Sequence, residues 1–154
     1  MIKLILASKS KVRKQILDNH NIITEVQPSA VDEEPIKESL LKEKNSPKTI
    51  SKNLAEIKAC KVSQKNFDIL VLGADSIIDL DGKMISKPRN REEAFDILKK
   101  LNGKKHDLIS SVCISKNGSM IWNYTDKAAL TMKKMSDEEL KKYLEKISDE
   151  ALFA

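Results

Sequence analysis

Apolar residues recur along this chain at two spacings, one suited to strands and one to helices. Residues 2–7 form a short apolar run fit for a buried strand, which Ser8-Lys9-Ser10 ends. After it Val12, Ile16 and Leu17 return at helical spacing, and either serine offers an oxygen to cap the first turn. Residues 22–26 read as a second strand. Residues 28–47, rich in Glu, Lys and Pro, show no clear period and are expected to form a long loop, a feature that is often functional. Ser46-Pro47 is a cap followed by proline at the first helical position. It predicts a helix to about Gln64, with Ile50, Leu54, Ile57 and Val62 on the apolar side.

The strongest strand signal covers residues 67–78, where the unbroken Ile69-Leu70-Val71-Leu72 predicts burial on both faces. Asp81-Gly82 is a tight-turn pair, with a return strand over residues 83–86 that stops at Pro88. Asn90 and Glu93 make a variant capping box for a helix with Phe95, Ile97, Leu98 and Leu101 inward, and Gly103 ends it. A second hairpin turns at Asn117-Gly118. Its outgoing strand alternates, placing Met120, Trp122, Tyr124, Ala128, Leu130 and Met132 on one side. Ser136 and Glu139 box a final helix that carries Leu140, Tyr143, Leu144 and Ile147. This order of elements predicts an α/β (mixed α+β) domain with a mixed sheet.

At 154 residues the chain is expected to fold as one domain, residues 1–154. Aromatic residues are only 4% of the sequence, so the core must rest on Ile, Leu, Val and Ala. No apolar run reaches the roughly 18 residues of a membrane span, and the N-terminus lacks a signal-peptide pattern. A cytoplasmic protein is therefore expected. Cys60 and Cys113 lie inside apolar patterns and, with only His20 and His106 beside them, form neither a disulfide framework nor a zinc set. The net charge of +5 suits a phosphate-rich partner, whether nucleotide or nucleic acid, but the lysines are dispersed among acidic residues.

Five places carry candidate chemistry. Ser8, Ser10 and Arg13 sit where a helix begins, a position that binds phosphate through free N–H groups, hydroxyls and a bidentate guanidinium. A capped helix with a solvated basic turn is the plain alternative. Asp75, in Gly73-Ala74-Asp75-Ser76, interrupts an apolar strand, and a buried carboxylate needs a metal, a cation or a task. Gly73 and Ala74 are expected to leave room for a ligand, and the alternative is an aspartate merely entering a turn. Lys58 falls inside the apolar arc of its helix, as Lys61 nearly does, although lysines can snorkel. Lys87 is held extended by Pro88. Asp32-Glu33-Glu34 could hold Mg²⁺ against a triphosphate, or simply be solvated. Together these are the parts for phosphoanhydride hydrolysis, and no P-loop or Ser/His/Asp set competes.

At these residues the chain resembles the Maf family of nucleotide pyrophosphatases, some first labelled septum-formation proteins. The resemblance runs through Leu6-Ala7-Ser8-Lys9-Ser10-Lys11-Val12-Arg13, Val31-Asp32-Glu33, Leu54-Ala55-Glu56-Ile57-Lys58-Ala59, Leu72-Gly73-Ala74-Asp75-Ser76, Asp81-Gly82, Ser86-Lys87-Pro88 and Leu101-Asn102-Gly103-Lys104-Lys105-His106, in the family's order. It implies a Maf/ITPase-like fold, a mixed twisted sheet with flanking helices and a nucleotide cleft. It also implies a homodimer and a divalent cation, Mg²⁺ or Mn²⁺. The implied activity is hydrolysis of nucleoside triphosphates, including modified or non-standard ones, to monophosphate and pyrophosphate. By carry-over Asp75 accepts the proton of water, Glu33 assists, and both hold the metal. Ser8, Arg13, Lys58 and Lys87 hold phosphates, with the Ser10 hydroxyl beside them.

Val12 and Ser76 stand where the family's branches differ in base choice, and neither matches a branch. Family members also continue beyond the point where this chain ends, so a domain without the family's C-terminal segment is expected. Two other readings stay open. A nucleic-acid-binding module fits the net charge, but Trp122 and Tyr124 are accompanied by Asn and Asp rather than Arg, which argues against nucleic acid. An inactive nucleotide-binding relative with a role in cell division is the third.

Overall fold

The computed structural model describes residues 3–152. Twelve elements follow in order: β1 (Leu4–Leu6), α1 (Lys11–Asn19), β2 (Thr24–Val26), α2 (Glu33–Lys42), α3 (Pro47–Ser63) and β3 (Leu70–Leu80). Then come β4 (Lys83–Ile85), α4 (Arg91–Leu101), β5 (Lys105–Lys116), β6 (Ser119–Thr131), α5 (Asp137–Lys146) and α6 (Asp149–Leu152). One six-stranded sheet runs in the order β2-β1-β3-β5-β6, and β4 pairs with β3. It is mixed: β1 pairs in parallel with β2 and β3, while β4 is antiparallel to β3. The α/β class expected from the pattern is the one found. The chain divides into two compact units, and β3, β5 and β6 each contribute to both.

The first unit takes the described residues up to Ser76 together with Ile109–Asp126. Its core gathers Ile5 and Ala7 of the β1 edge, Val71 of β3, Ala55, Ala59 and Val62 of α3, and Cys113 of β5. The β1–β3 register, with Ile5 opposite Val71, sets the two fully buried strand residues side by side. Helix α3 starts as its sequence predicts. The Ser46 hydroxyl accepts from the Thr49 N–H at 3.2 Å, and Pro47 opens the helix. Its buried side includes Ile50, Leu54, Ala55, Ala59 and Val62, with Lys58 among them.

Two expectations for this unit need correction. Residues 33–42 are not loop but α2, which follows Asp32, with Glu33 and Glu34 in the first turn and Lys42 in the last. Charges matched to the helix dipole mark this helix, and its apolar residues, Ile36, Leu40 and Leu41, are few and none is fully buried. Helix α1 forms where the spacing of Val12, Ile16 and Leu17 predicts it, although Val12 and Ile16 are 59% and 53% exposed. Gly73 leaves room for a helix rather than a ligand. A Cβ at Gly73 would stand 2.4 Å from the Ala55 carbonyl oxygen and 2.9 Å from the Ala59 Cβ. The missing side chain is what lets α3 lie on β3.

The second unit takes Ile77–Leu108 and the described residues from Lys127 onward. Here β3 turns back through Asp81 and Gly82, both at positive φ, into β4, as the Asp-Gly pair predicts. Helix α4 is capped by Asn90, whose side-chain oxygen accepts from the Glu93 N–H at 2.8 Å. The Ser136 hydroxyl caps α5 in the same way from the Glu139 N–H at 3.2 Å. The two helices pack through Ala94, Leu101, Leu140 and Leu144, while Tyr143 stays half in solvent. Arg91 ties down the end of α5, donating to the Leu144 and Ile147 carbonyls at 2.7 and 2.9 Å. No helix among the described residues is long and apolar enough to cross a membrane.

Candidate active site

The close seam between α3 and β3 brings two opposite charges together inside the first unit. Lys58 faces β3 from the middle of α3, and Asp75 lies two residues beyond Gly73, on the same face of the strand. Their side chains are 9% and 8% exposed, and Lys58 Nζ donates to Asp75 Oδ1 at 3.0 Å. The Ser51 hydroxyl, also on α3, donates to the Asp75 carbonyl at 3.3 Å and fixes the backbone there. The same lysine ammonium reaches Glu33 Oε1 at 2.7 Å, from the first residue of α2. One buried cation therefore bridges two carboxylates carried by different elements. A buried carboxylate left alone would be costly, and Lys58 is what makes this one tolerable.

The pairing is incomplete, however. Asp75 Oδ2 is buried with no hydrogen-bond partner. Burial raises the pKa of Asp75 above the ordinary carboxylate range. Lys58 opposes that shift, the neighbouring Glu33 charge reinforces it, and Lys37 adds a smaller opposing attraction.

Arg13 approaches this cluster from the start of α1. Ser10 caps that helix by accepting from the Arg13 N–H at 3.2 Å. The Ser8 hydroxyl then accepts from Arg13 Nη1 at 3.1 Å and from the Ser10 N–H at 3.2 Å. Burial pulls the guanidinium pKa down, while the charges of Asp75 and Glu33 pull it up, which places all three groups within electrostatic reach. Ser8, Arg13, Glu33, Lys58 and Asp75 thus form one neighbourhood, with the Ser10 cap at its edge.

The remaining candidates are placed differently. Lys61 is exposed and donates to the Ala30 carbonyl at 3.2 Å, so the two lysines that looked alike in sequence part company. Ser76 follows Asp75 but points to the other face of β3, where its hydroxyl meets that of Ser110 at 3.1 Å. Val12 is exposed beside Arg13. Lys87 is an exposed residue of the second unit, just after β4. Lys37 was not singled out from the sequence. Its four-residue spacing from Glu33 has meaning only if the segment is helical, and Asp32-Glu33-Glu34-Pro35, with acids and a proline suited to a first helical turn, was the available signal.

A model of the family described as Maf-like protein matches residues 3–151. The chain belongs to the Maf family. Among its Maf relatives, a nucleoside triphosphate pyrophosphatase of Pelagibacter ubique is 66% identical over 155 residues, spanning 100% of this chain and 80% of that protein. One of the same name from Ruegeria pomeroyi is 38% identical, spanning 93% and 72%. A 7-methyl-GTP pyrophosphatase of Rhizobium meliloti is 33% identical, spanning 97% and 75%.

The Maf cluster can be tested for its fit to a divalent cation. Among the described residues no group of three or more His, Cys, Asp or Glu side chains forms a metal cage. Mg²⁺ seldom needs one, because it keeps several waters and is held by one or two carboxylates plus substrate phosphates. The partnerless Asp75 Oδ2, with Glu33 joined to Asp75 through Lys58, is a donor set of that kind. The residues fit a hard cation arriving with a phosphate chain.

Proposed function

We propose that this chain is a nucleoside triphosphate pyrophosphatase, adding water to a nucleoside triphosphate and releasing a nucleoside monophosphate and pyrophosphate. The observation that carries the reading is the buried Asp75, with one oxygen pinned by Lys58 and the other without a partner. In this reading the Asp75 carboxylate accepts the proton as water attacks the α-phosphorus and pyrophosphate leaves. A raised pKa suits that task, since a stronger base takes the proton more readily. Glu33 and Asp75 would hold the divalent cation, Mg²⁺ or Mn²⁺, which would neutralise charge on the phosphate oxygens. Arg13 and Lys58 bind phosphate oxygens, and the Ser8 and Ser10 hydroxyls orient Arg13 and the first turn of α1 toward them.

The same proposal takes Lys87 as a phosphate contact and Val12 and Ser76 as determinants of base choice, following the motifs in which they lie. It places the enzyme in the cytoplasm as a homodimer, which sedimentation of the purified protein would read. The activity itself is tested by screening natural and modified triphosphates for pyrophosphate release with Mg²⁺ or Mn²⁺. Equimolar monophosphate and pyrophosphate is the expected outcome. Orthophosphate as the product, or no turnover of any triphosphate, would overturn the reading.

A further inference from the structure

Lys37 is set apart from the lysines paired four residues away on α1 and α5 by how little of its side chain reaches water. It lies four residues after Glu33 on α2, and its side chain is 12% exposed. The comparable lysine of the Glu138–Lys142 pair on α5 is 69% exposed, and that of the Lys14–Asp18 pair on α1 is 31% exposed. Ordinary helical ion pairs leave the ammonium in solvent, where it is well hydrated and the pair contributes little. Most of the Lys37 side chain is covered, and its ammonium is held only loosely by carboxylates. Its ammonium stands 3.9 Å from Glu33 Oε2 and 3.6 Å from Glu34 Oε1. Both separations exceed the roughly 2.7–2.9 Å of a charge-assisted hydrogen bond.

Lys58 shows what a satisfied lysine looks like in the same place, with partners at 2.7 and 3.0 Å. Glu33 links the two lysines, giving Oε1 to Lys58 and turning Oε2 toward Lys37. Lys37 thus brings a second, loosely held ammonium to the edge of the carboxylate cluster. The stem of a lysine is flexible and its head is a point charge, so a shift of an ångström or two toward an anion is easily made.

We propose that Lys37 is a substrate-binding residue of this centre, whose ammonium takes oxygens of the polyphosphate chain. The inference rests on the proposed function for its context and adds a contact that none of the recognised motifs contains. When the phosphates arrive, the ammonium leaves its two long carboxylate contacts for short phosphate ones. Glu33 is then free of that neighbour while Lys58 continues to hold it.

The test uses inorganic tripolyphosphate, a phosphate chain without a base, titrated calorimetrically with Mg²⁺ into the wild type, Lys37→Met and Lys37→Arg. Lys37→Met should weaken tripolyphosphate binding roughly tenfold or more, the scale of one lost hydrogen bond to a charged group. KM for a triphosphate should rise in step, kcat should change far less, and the melting temperature should hold. Lys37→Arg should regain most of the affinity. Unchanged tripolyphosphate affinity in folded Lys37→Met overturns the inference, and a fall in kcat alone would make Lys37 only a counter-ion for Glu33. If Lys37→Met folds poorly, Lys37→Gln takes its place in the same titration. A wild type that binds tripolyphosphate through Lys37 yet hydrolyses no triphosphate would sink the proposed function while leaving this contact standing.

Discussion

Strand β3 carries an aspartate inside, at 6% exposure, while β6 carries a tryptophan and a tyrosine outside, at 49% and 57%. Both are long strands, β3 legible from an unbroken apolar run and β6 from its alternation. What separates them is what lies on the face. Helix α3 presses onto β3 at Gly73, and its lysine comes with it, so a charged pair is taken out of water together. Strand β6 ends the sheet order, and Ile121, Trp122, Tyr124 and Leu130 stay exposed along it. The two rings lie nearly parallel, 12° apart with centroids at 6.4 Å, and shelter part of each other's surface. Depth in this protein follows the covering element rather than the polarity of the residue.

Substitutions in the two strands should therefore differ sharply in cost. The largest effect is expected at Lys58→Met. Removing one partner of a buried pair leaves Asp75 uncompensated, a loss on the order of 3–5 kcal/mol in unfolding free energy, with turnover abolished. Denaturant melts showing a loss below about 1 kcal/mol would mean that the seam is wetter than described. Next comes Gly73→Ala, whose Cβ would meet the Ala55 carbonyl oxygen at 2.4 Å. Overpacking of this kind costs about 1–3 kcal/mol. Because the new methyl pushes α3 away from β3, kcat should fall as well, and unchanged kcat would separate the packing from the chemistry.

A smaller, pH-dependent effect is expected from Asp75→Asn. The folded pKa of Asp75 is raised, chiefly by burial, so its carboxylate opposes folding once ionised. Wild-type stability from this group is present below the unfolded pKa and is lost as pH rises through the folded pKa. The asparagine variant escapes that loss. Its melting temperature relative to wild type should therefore climb as pH rises across that interval, and a flat difference would contradict the raised pKa. The same shift predicts that wild-type kcat/KM begins to fall, on acidification, at a higher pH than for an ordinary aspartate. The smallest effect belongs to Trp122→Ala on β6, which should stay within about 0.5 kcal/mol, as exposed positions usually do. A larger loss would show that the stacked rings carry more of the fold than their exposure implies.

The residues that were legible in the sequence are those that break a pattern. Asp75 and Lys58 each interrupt an apolar face, and the structure joins them to each other. Arg13 opposes the helix dipole at the start of α1, and it turns toward Ser8 and the two carboxylates. The caps at Ser46, Asn90 and Ser136 and the turns at Asp81-Gly82 and Asn117-Gly118 were readable because local chemistry fixes them. Helix α2 was not, because Ile36, Leu40 and Leu41 are too few to stand out among its charged residues. Lys37 was hidden along with the helix that gives it a neighbour. The exposure of Trp122 and Tyr124 was equally out of reach, since alternation says which residues share a face and nothing about whether that face is covered.

The central claim is that Asp75 activates water against a nucleoside triphosphate. Its most direct test is turnover in ¹⁸O-labelled water, with the isotope followed into each product for wild type and Asp75→Asn. Attack at the α-phosphorus puts the label in the nucleoside monophosphate and leaves pyrophosphate unlabelled. Asp75→Asn, still folded, should slow both products at least about a hundredfold, the scale of a lost general base. Label appearing in pyrophosphate, or near-normal product formation by the folded asparagine variant, would contradict the account.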